Sequence, residues 1–441
     1  MFVIYNVILT LLLFLLWPFL LWYMYKRQGS LEGVGERLGW GWPEPELDGS
    51  ATGQTIWFHG ASVGEIQMLV PLVRALQKSC PGRQLLLTTM TLTGRQAARQ
   101  NFPEAKVVLL PLDLPCLWTR FYRHFNPVLL IVAETELWPN LFNFVRSHKL
   151  PMALVNARLS RKSFVNYLLF HFFTKVMFET PDLVIVQDRV SAGRFAGLGT
   201  PVSKIIHSGN LKFDLKVPEE NSLGIDYRKL FRSDCRVVVA GSTHPGEDEL
   251  ILDVWFNTVA EIPGVSTSSC LILAPRHPHR FAAVAGLLAA RNIDYLRFSD
   301  IKENRSVLSL NGPPAVLLLD TLGDLIHFYG FADFTIIGGT LIPGVGGHNP
   351  LEAAVFARMV IHGPYVANFK DGFDYLDRQG GGFTVASRQE LESLFKHCLQ
   401  NQDFVREAGR KAQAAIENNR GAVAKTMAAI KGNGLSVKVN I

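Results

Sequence analysis

Cysteine is scarce and scattered. The five cysteines (Cys80, Cys116, Cys235, Cys270 and Cys398) form no C-x-x-C pair, which argues against a zinc cluster or a disulfide framework and fits a reducing compartment. Low-complexity segments and short-period repeats are also missing, so the 441 residues read as about two or three ordinary domains. A formal net charge of +6 with pI near 9.0 suits an anionic partner. No nucleic-acid-binding motif accompanies that charge, and nucleic acid is not expected as a partner.

Charge is absent from one long stretch, "FVIYNVILTLLLFLLWPFLLWYMY" (Phe2 to Tyr25). It exceeds the ~20 residues that cross a bilayer as a helix. Nothing basic precedes it except the amino terminus, and "YKRQG" follows where a cleaved signal peptide would carry a small-x-small site. The expectation is an uncleaved single-pass anchor over residues 1–25. Lys26 and Arg27 directly after the span place the large C-terminal part on the cytoplasmic side by the positive-inside rule.

After the anchor, short unbroken apolar runs alternate with longer amphipathic segments. "TIWFHGA", "LLLTTM", "KVVLLPL", "VLLIVAE", "MALVNAR" and "LVIVQD" fill the first half; "RVVVAGST", "CLILAPR", "AVLLLD", "FTIIGGT" and "MVIHGP" fill the second. Such runs read as parallel strands covered on both faces, and the alternation gives doubly wound α/β units. The expected architecture is two Rossmann-like domains facing a cleft. Residues 26–211 form the first domain, 212–234 a linker and 235–431 the second, closed by a helical stretch from about Glu390 to Lys431.

Ligands of open α/β sheets bind beyond the carboxyl ends of the strands, so those ends were searched for chemistry. "WFHGASVGE" ends in Glu65, and Ser62 with Glu65 has the S-x-x-E spacing of a capping box, the glutamate reaching back to the serine N–H. "AETELWPN" closes an apolar strand with Glu134 and Glu136, and carboxylates resist burial. "GNLKFD" puts Lys212 at the seam, where an ammonium can stabilise a leaving phosphate. "LAPRHPHRF" presents Arg276 and His277, a guanidinium suited to a phosphate or base carbonyl. "GGTLIPGVGGHNPLEAA" passes from a strand through glycines 344, 346 and 347 into a helix expected at Pro350, with Asn349 as N-cap. That helix start reads as an anion site for a nucleotide phosphate, with Glu352 within reach of a ribose. "DTLGDL" (Asp320 to Leu325) is a similar strand end.

"HGASVGE", "TTMTLTG", "AETELWPN", "NARLS", "GNLKFD", "PRHP", "GGT" and "GGHNPLEAA" follow in an order and spacing that resembles the 3-deoxy-D-manno-octulosonic acid (Kdo) transferases of lipopolysaccharide assembly. The resemblance runs from the anchor to about residue 420. It implies the two-domain GT-B glycosyltransferase fold, an inner-membrane location, and inverting transfer of Kdo from CMP-Kdo to the lipid A precursor. By the same resemblance Glu65 is the catalytic base, and Glu134 and Lys212 assist the transition state. CMP contacts fall on Arg276, His277, Gly323, Asp324, Leu325, Asn349, Pro350, Leu351 and Glu352. Asp324 stands where the family carries the longer Glu. No D-x-D triplet occurs in the chain, so the expectation is transfer without metal or other cofactor. "RLSRKSFVNYLLFHFFTKVMF" (Arg158 to Phe178) is either part of an acceptor entrance at the membrane surface or a helix buried against the sheet.

Overall fold

The computed structural model describes residues 2–28, 31–44, 54–214, 227–232, 234–264, 268–303, 315–433 and 435. The chain divides into two compact units, residues 1–214 with 420–441, and residues 215–419.

The first unit holds a seven-stranded parallel sheet: β1 (Thr55–His59), β2 (Gln84–Thr89), β3 (Lys106–Leu109), β4 (Pro127–Ala133), β5 (Met152–Ala157), β6 (Leu183–Val186) and β7 (Ile205–His207). Their order is β3-β2-β1-β4-β5-β6-β7. The order reverses between β1 and β4, so the switch point where such sheets bind ligands lies at the ends of those two strands. Helices cover both faces. Ile56, Phe58 and Leu87 point into a core closed by Ile66, Leu69 and Leu72. Trp57, Leu86 and Val132 point the other way, into an aromatic layer with Trp118, Phe121 and Phe142. Each strand alternates faces and both faces are buried, which is why the strands are apolar throughout.

The second unit repeats the plan: β8 (Arg236–Thr243), β9 (Ser269–Pro275), β10 (Tyr295–Arg297), β11 (Ala315–Leu318), β12 (Phe334–Ile337), β13 (Met359–His362) and β14 (Gly382–Thr384). The order is β10-β11-β9-β8-β12-β13-β14, again parallel throughout. Here the switch point lies between β8 and β12. The sequence reading lacks β7, β10 and β14, all three-residue edge strands.

Two boundaries differ from expectation. Lys212 lies in the first unit, in a 3-10 turn (Leu211–Phe213), and most of the expected linker, 215–226, falls outside the described residues. The stretch expected to close the second domain divides. Helices Arg388–Gln400 and Gln402–Glu417 stay in the second unit, whereas Ala422–Gly432 returns to the first, burying Ala422, Ala429 and Ile430 in its core. Asp214 secures that return, because its carboxylate accepts the Gly421 N–H at 2.6 Å and the Val423 N–H. It thus caps a helix far away in sequence from its open, positive end.

At the amino terminus, Phe2–Gln28 is one helix, with an apolar window, Phe2–Phe19, long enough to cross a membrane. Near its start the Tyr5 hydroxyl donates to Asp113 at 3.2 Å, Asn140 donates to Asn6 at 2.6 Å, and Phe2 and Tyr5 lie against Phe173. The Lys26 ammonium lies 5.0 Å from the Trp22 ring centre.

Asp214→Ala is expected to cost about 1–2 kcal/mol through the lost cap and to expose the segment after 420 to limited proteolysis. Unchanged thermal stability together with an unchanged cleavage pattern would show that the carboxylate does not hold this helix.

Candidate functional site

In the first unit, the segment after β1 and the segment after β4 meet at the switch point. The β1 loop is held by Gly60 N–H to the Thr88 carbonyl and by Met90 N–H to the Ala61 carbonyl. Ser62 caps the helix Val63–Ser79 through its hydroxyl oxygen, which accepts the Glu65 N–H. Glu65 turns back as a capping glutamate does, but one residue further than expected. Its Oε2 accepts the Ala61 N–H at 2.6 Å, and its Oε1 accepts the Ser62 hydroxyl at 3.2 Å. Gly60 makes room for it, since a Cβ there would stand 3.3 Å from the Glu65 Cβ. At Gly64 a Cβ would meet nothing closer than 3.9 Å, so the space on that side is open.

Glu134 follows β4 in a left-handed conformation (φ 55°), as does Asn156 in β5 (φ 56°). A bulky residue held there costs about 1–3 kcal/mol and clusters at sites where geometry matters. The Glu134 Oε1 receives the Lys212 ammonium at 2.8 Å, with both side chains about 30% exposed. Asn156 sets up that pair. It is fully buried, its Oδ1 accepts the Leu211 N–H at 2.9 Å, and Asn210 Oδ1 accepts the Lys212 N–H at 2.9 Å. Glu65 after β1 and Glu134 and Glu136 after β4 thus gather at the switch point, where Lys212 pairs with Glu134. Burial, then the field of Glu134, push the Glu65 carboxyl up to about 7; Glu136 adds to the rise, and the Ala61 and Ser62 hydrogen bonds oppose it. Burial likewise raises Glu136, and Glu134 adds to it.

In the second unit, β8 and β12 approach without side chains between their ends. A Cβ on Gly338 would strike the Ser242 carbonyl, and one on Gly241 would strike the Tyr329 hydroxyl and crowd Leu325. Glu247 bridges the two ends. Wholly buried, it accepts N–H groups from His244 at 2.9 Å, Gly339 at 2.7 Å and Leu341 at 2.9 Å. His244 Nε2 stands 2.8 Å from His348 Nε2, and His277 packs edge-on to His244. Burial, then the neighbouring His277 and the Arg280 and Arg276 guanidiniums, push His244 down to about 4; burial and Arg276 push His348 down to about 3. Both rings are therefore neutral at pH 7, and the cationic character here belongs to exposed Arg276, whose N–H is fixed on the Thr243 carbonyl.

Three expectations change in this unit. The helix at Pro350 is one turn, Leu351–Ala354, with Asn349 Oδ1 accepting the Leu351 N–H at 3.1 Å. So short a helix has little macrodipole, which scales with aligned peptides, and Pro350 and Leu351 are buried. Glycines 344, 346 and 347 are all left-handed, but Gly346 and Gly347 are enclosed by Asn368 and by Thr340 and Phe373, leaving only Gly344 open. Asp324 is buried and engaged: Oδ1 takes the Tyr227 hydroxyl, and Oδ2 takes Lys302 at 2.8 Å and Thr321 at 2.6 Å. Its carboxylate shapes the loop, while left-handed Gly323 next to it faces open space. Glu352 is raised by burial and drawn back by Asn349, whose amide donates to it at 3.2 Å, and by the Arg276 charge. Arg276, His277, Asn349 and Glu352 are thus neighbours.

Sequence reasoning gave no role to Glu247 or His348. "HPGEDE" puts three carboxylates at a helix start, which reads as ordinary dipole complement, and nothing in it marks the one that turns inward. Among the described residues no group of three or more His, Cys, Asp or Glu is disposed to hold a metal ion.

Residues 32–215 match the family described as 3-deoxy-D-manno-octulosonic-acid transferase (kdotransferase). The chain is 36% identical over 382 residues to a 3-deoxy-D-manno-octulosonic acid transferase of Haemophilus influenzae, covering 86% of this chain and 87% of that one. A probable mitochondrial 3-deoxy-D-manno-octulosonic acid transferase of Arabidopsis thaliana is 32% identical over 388 residues, covering 86% and 85%. In fold, the chain is similar to a UDP-GlcNAc 2-epimerase from Neisseria meningitidis, crystallised with UDP-GlcNAc (TM-score 0.54, 12% identity, 86% of this chain and 100% of that one).

Glu247→Gln places an amide N–H among backbone N–H groups and should lower stability by about 1–3 kcal/mol in denaturant unfolding. Equal stability in variant and parent would show that the loop keeps its shape without this carboxylate.

Proposed function

The chain belongs to the Kdo transferase family and is a glycosyltransferase; from that premise we propose that it transfers Kdo from CMP-Kdo to the lipid A precursor (lipid IVA) in lipopolysaccharide assembly, with inversion. The observation that carries this reading is the Glu65 carboxyl, half-buried, raised to about 7 and beside open space. A general base works best with a pKa near the operating pH. A carboxylate offers about four acceptor positions, and Ala61 and Ser62 occupy two, leaving capacity for an acceptor hydroxyl.

In this mechanism the acceptor oxygen attacks the anomeric carbon while its proton passes to Glu65, and CMP departs with the electron pair of the broken bond. Lys212, held by Glu134, offsets charge as it develops. Arg276 and the open backbone at Gly344 meet the phosphate, His277 and Asn349 complete the nucleotide site, and Glu352 takes the ribose. Gly323 and Leu325 contribute backbone rather than side-chain contacts, and Asp324, Pro350 and Leu351 support the loops. A CMP-sugar has one phosphate, so these groups balance it without a metal; unchanged rates in EDTA test that point.

The acceptor is a lipid, and the location we propose is the inner membrane, with the catalytic part on the cytoplasmic side. Support comes from the N-terminal apolar helix and from helices Arg161–Leu169 and His171–Glu179. Met177 and Phe178 of the second are buried, but Leu169, Phe170 and Phe172 are 74%, 67% and 83% exposed. Phe173 beside them touches the N-terminal helix. The exposed tip at Leu169 to Phe172 is therefore assigned to the lipid surface, while Phe164, Tyr167, Phe173, Met177 and Phe178 pack on the core.

Incubation with CMP-Kdo and a tetraacyl lipid A precursor should release CMP and add the mass of Kdo to the lipid; release of UDP from a UDP-sugar instead would replace the donor. Glu65→Gln is expected to retain CMP binding and lose about 10²–10⁴ in turnover. The acid limb of kcat/KM should have its midpoint near the Glu65 value of about 7, activity falling as pH drops and the base is protonated. A midpoint in the ordinary carboxylate range would remove Glu65 from that role. Replacing Leu169, Phe170 and Phe172 with Ser should lower the membrane-bound fraction; an unchanged partition would return the stretch to a structural role.

A further inference from the structure

The carboxyl ends of the second sheet carry the nucleotide site, and its amino ends carry something different. A cavity of about 500 Å³ opens there, lined by Arg236, Arg358, Arg406 and Arg410 against two carboxylates, Asp333 and Asp403. Arg236 begins β8, Asp333 immediately precedes β12, and Arg358 immediately precedes β13. The helix Gln402–Glu417 supplies Arg406 and Arg410 from its first turns, and Cys398 and Leu399 come from the end of the helix before it. β8 is eight residues long, so at about 3.3 Å per residue the cavity lies roughly 25 Å from the loop after Thr243.

The guanidiniums here are partly answered: Arg410 pairs with Glu407 at 2.9 Å, and Arg406 lies 3.9 Å from Asp403. Arg358 is used by the fold, donating to the carbonyls of Tyr329 and Gly330. Asp333 gives one oxygen to the Val237 N–H. Arg236 Nη1 is buried with no hydrogen-bond partner among the described residues. A buried guanidinium N–H without an acceptor costs about 1–3 kcal/mol or more, a cost set against the Arg236 charge helping to hold the buried Asp333 carboxylate. Four arginines face Asp333 and Asp403, with Glu407 paired to Arg410; the wall keeps about one positive charge, and arginine forks suit phosphate oxygens. The floor is apolar, with Phe334 and Val405, and the volume falls in the range of small-molecule sites, about 300–1,000 Å³.

We propose that this cavity is a second ligand site, separate from the nucleotide site, for a small organic phosphate whose anion meets Arg236, Arg406 and Arg410 and whose carbon part rests on the apolar floor. It stands independently of the transfer reaction assigned above. The probes are phenyl phosphate and inorganic phosphate, titrated calorimetrically into the full chain carrying Arg276→Gln, so that the nucleotide site is disabled. Saturable binding is expected, phenyl phosphate tighter than inorganic phosphate, with both Arg236→Gln and the rim change Arg410→Gln raising Kd at least tenfold. Arg410 is largely solvent-facing, so its variant keeps the test alive if Arg236→Gln fails to fold. A lipid headgroup carries the same chemistry. Displacement of phenyl phosphate by phosphatidylglycerol vesicles would identify a lipid source, and failure to displace it a soluble one; either keeps the site. Absence of saturable binding in the Arg276→Gln chain, or binding indifferent to Arg410→Gln, would overturn it.

Discussion

Like charges crowded at the end of one sheet are the constraint on which the first unit is organised. Glu65 and Glu134 follow neighbouring strands at the switch point, Glu136 lies two residues on, and Lys212 pairs with only one of the three. Repulsion between carboxylates favours the neutral form of whichever is most buried, and here that acts on Glu65. The left-handed backbone at Glu134 and the Asn156 contact to Leu211 fix how close the charges stand. Burial is the larger cause of the raised Glu65 carboxyl, and that placement adds the repulsion of Glu134 and Glu136 to it. Its two duties are compatible because capping leaves part of the carboxylate unoccupied.

Elsewhere acidic side chains serve as clamps on the backbone. Glu247 joins two strand ends, Asp214 holds a distant helix, Asp113 takes the Asn140 and Leu141 N–H groups, and Asp324 ties a loop to Tyr227 and Lys302. Each is a charge-assisted bond to groups that would otherwise be buried unpaired.

Much of this was legible in the sequence. Long strands buried on both faces announce themselves as unbroken apolar runs, and polar residues at their ends mark the ligand edge. The three-residue edge strands β7, β10 and β14 are too short and too exposed to show a pattern. The Ser62–Glu65 spacing exposed the cap, but not the raised pKa of Glu65, which depends first on burial and then on carboxylates remote in the chain. The glycine loop at 344–347 stands out in the sequence as a phosphate approach, whereas Gly346 and Gly347 serve turn geometry enclosed by Asn368 and Phe373. The inward turn of Glu247 and the burial of Asp324 required tertiary contacts that no local spacing encodes.

The central claim is that Glu65 is a carboxyl tuned by its neighbours, and the most direct measurement is its own titration. Carbon-13 NMR of the labelled glutamate side chains, assigned by Glu65→Gln, reports that protonation without turnover. The account predicts a midpoint of about 7, moving to lower pH in Glu134→Gln because a repelling charge is removed and Lys212 is released from its partner. A Glu65 midpoint in the usual carboxylate range, about 4–5, or one that ignores the loss of Glu134, would contradict it.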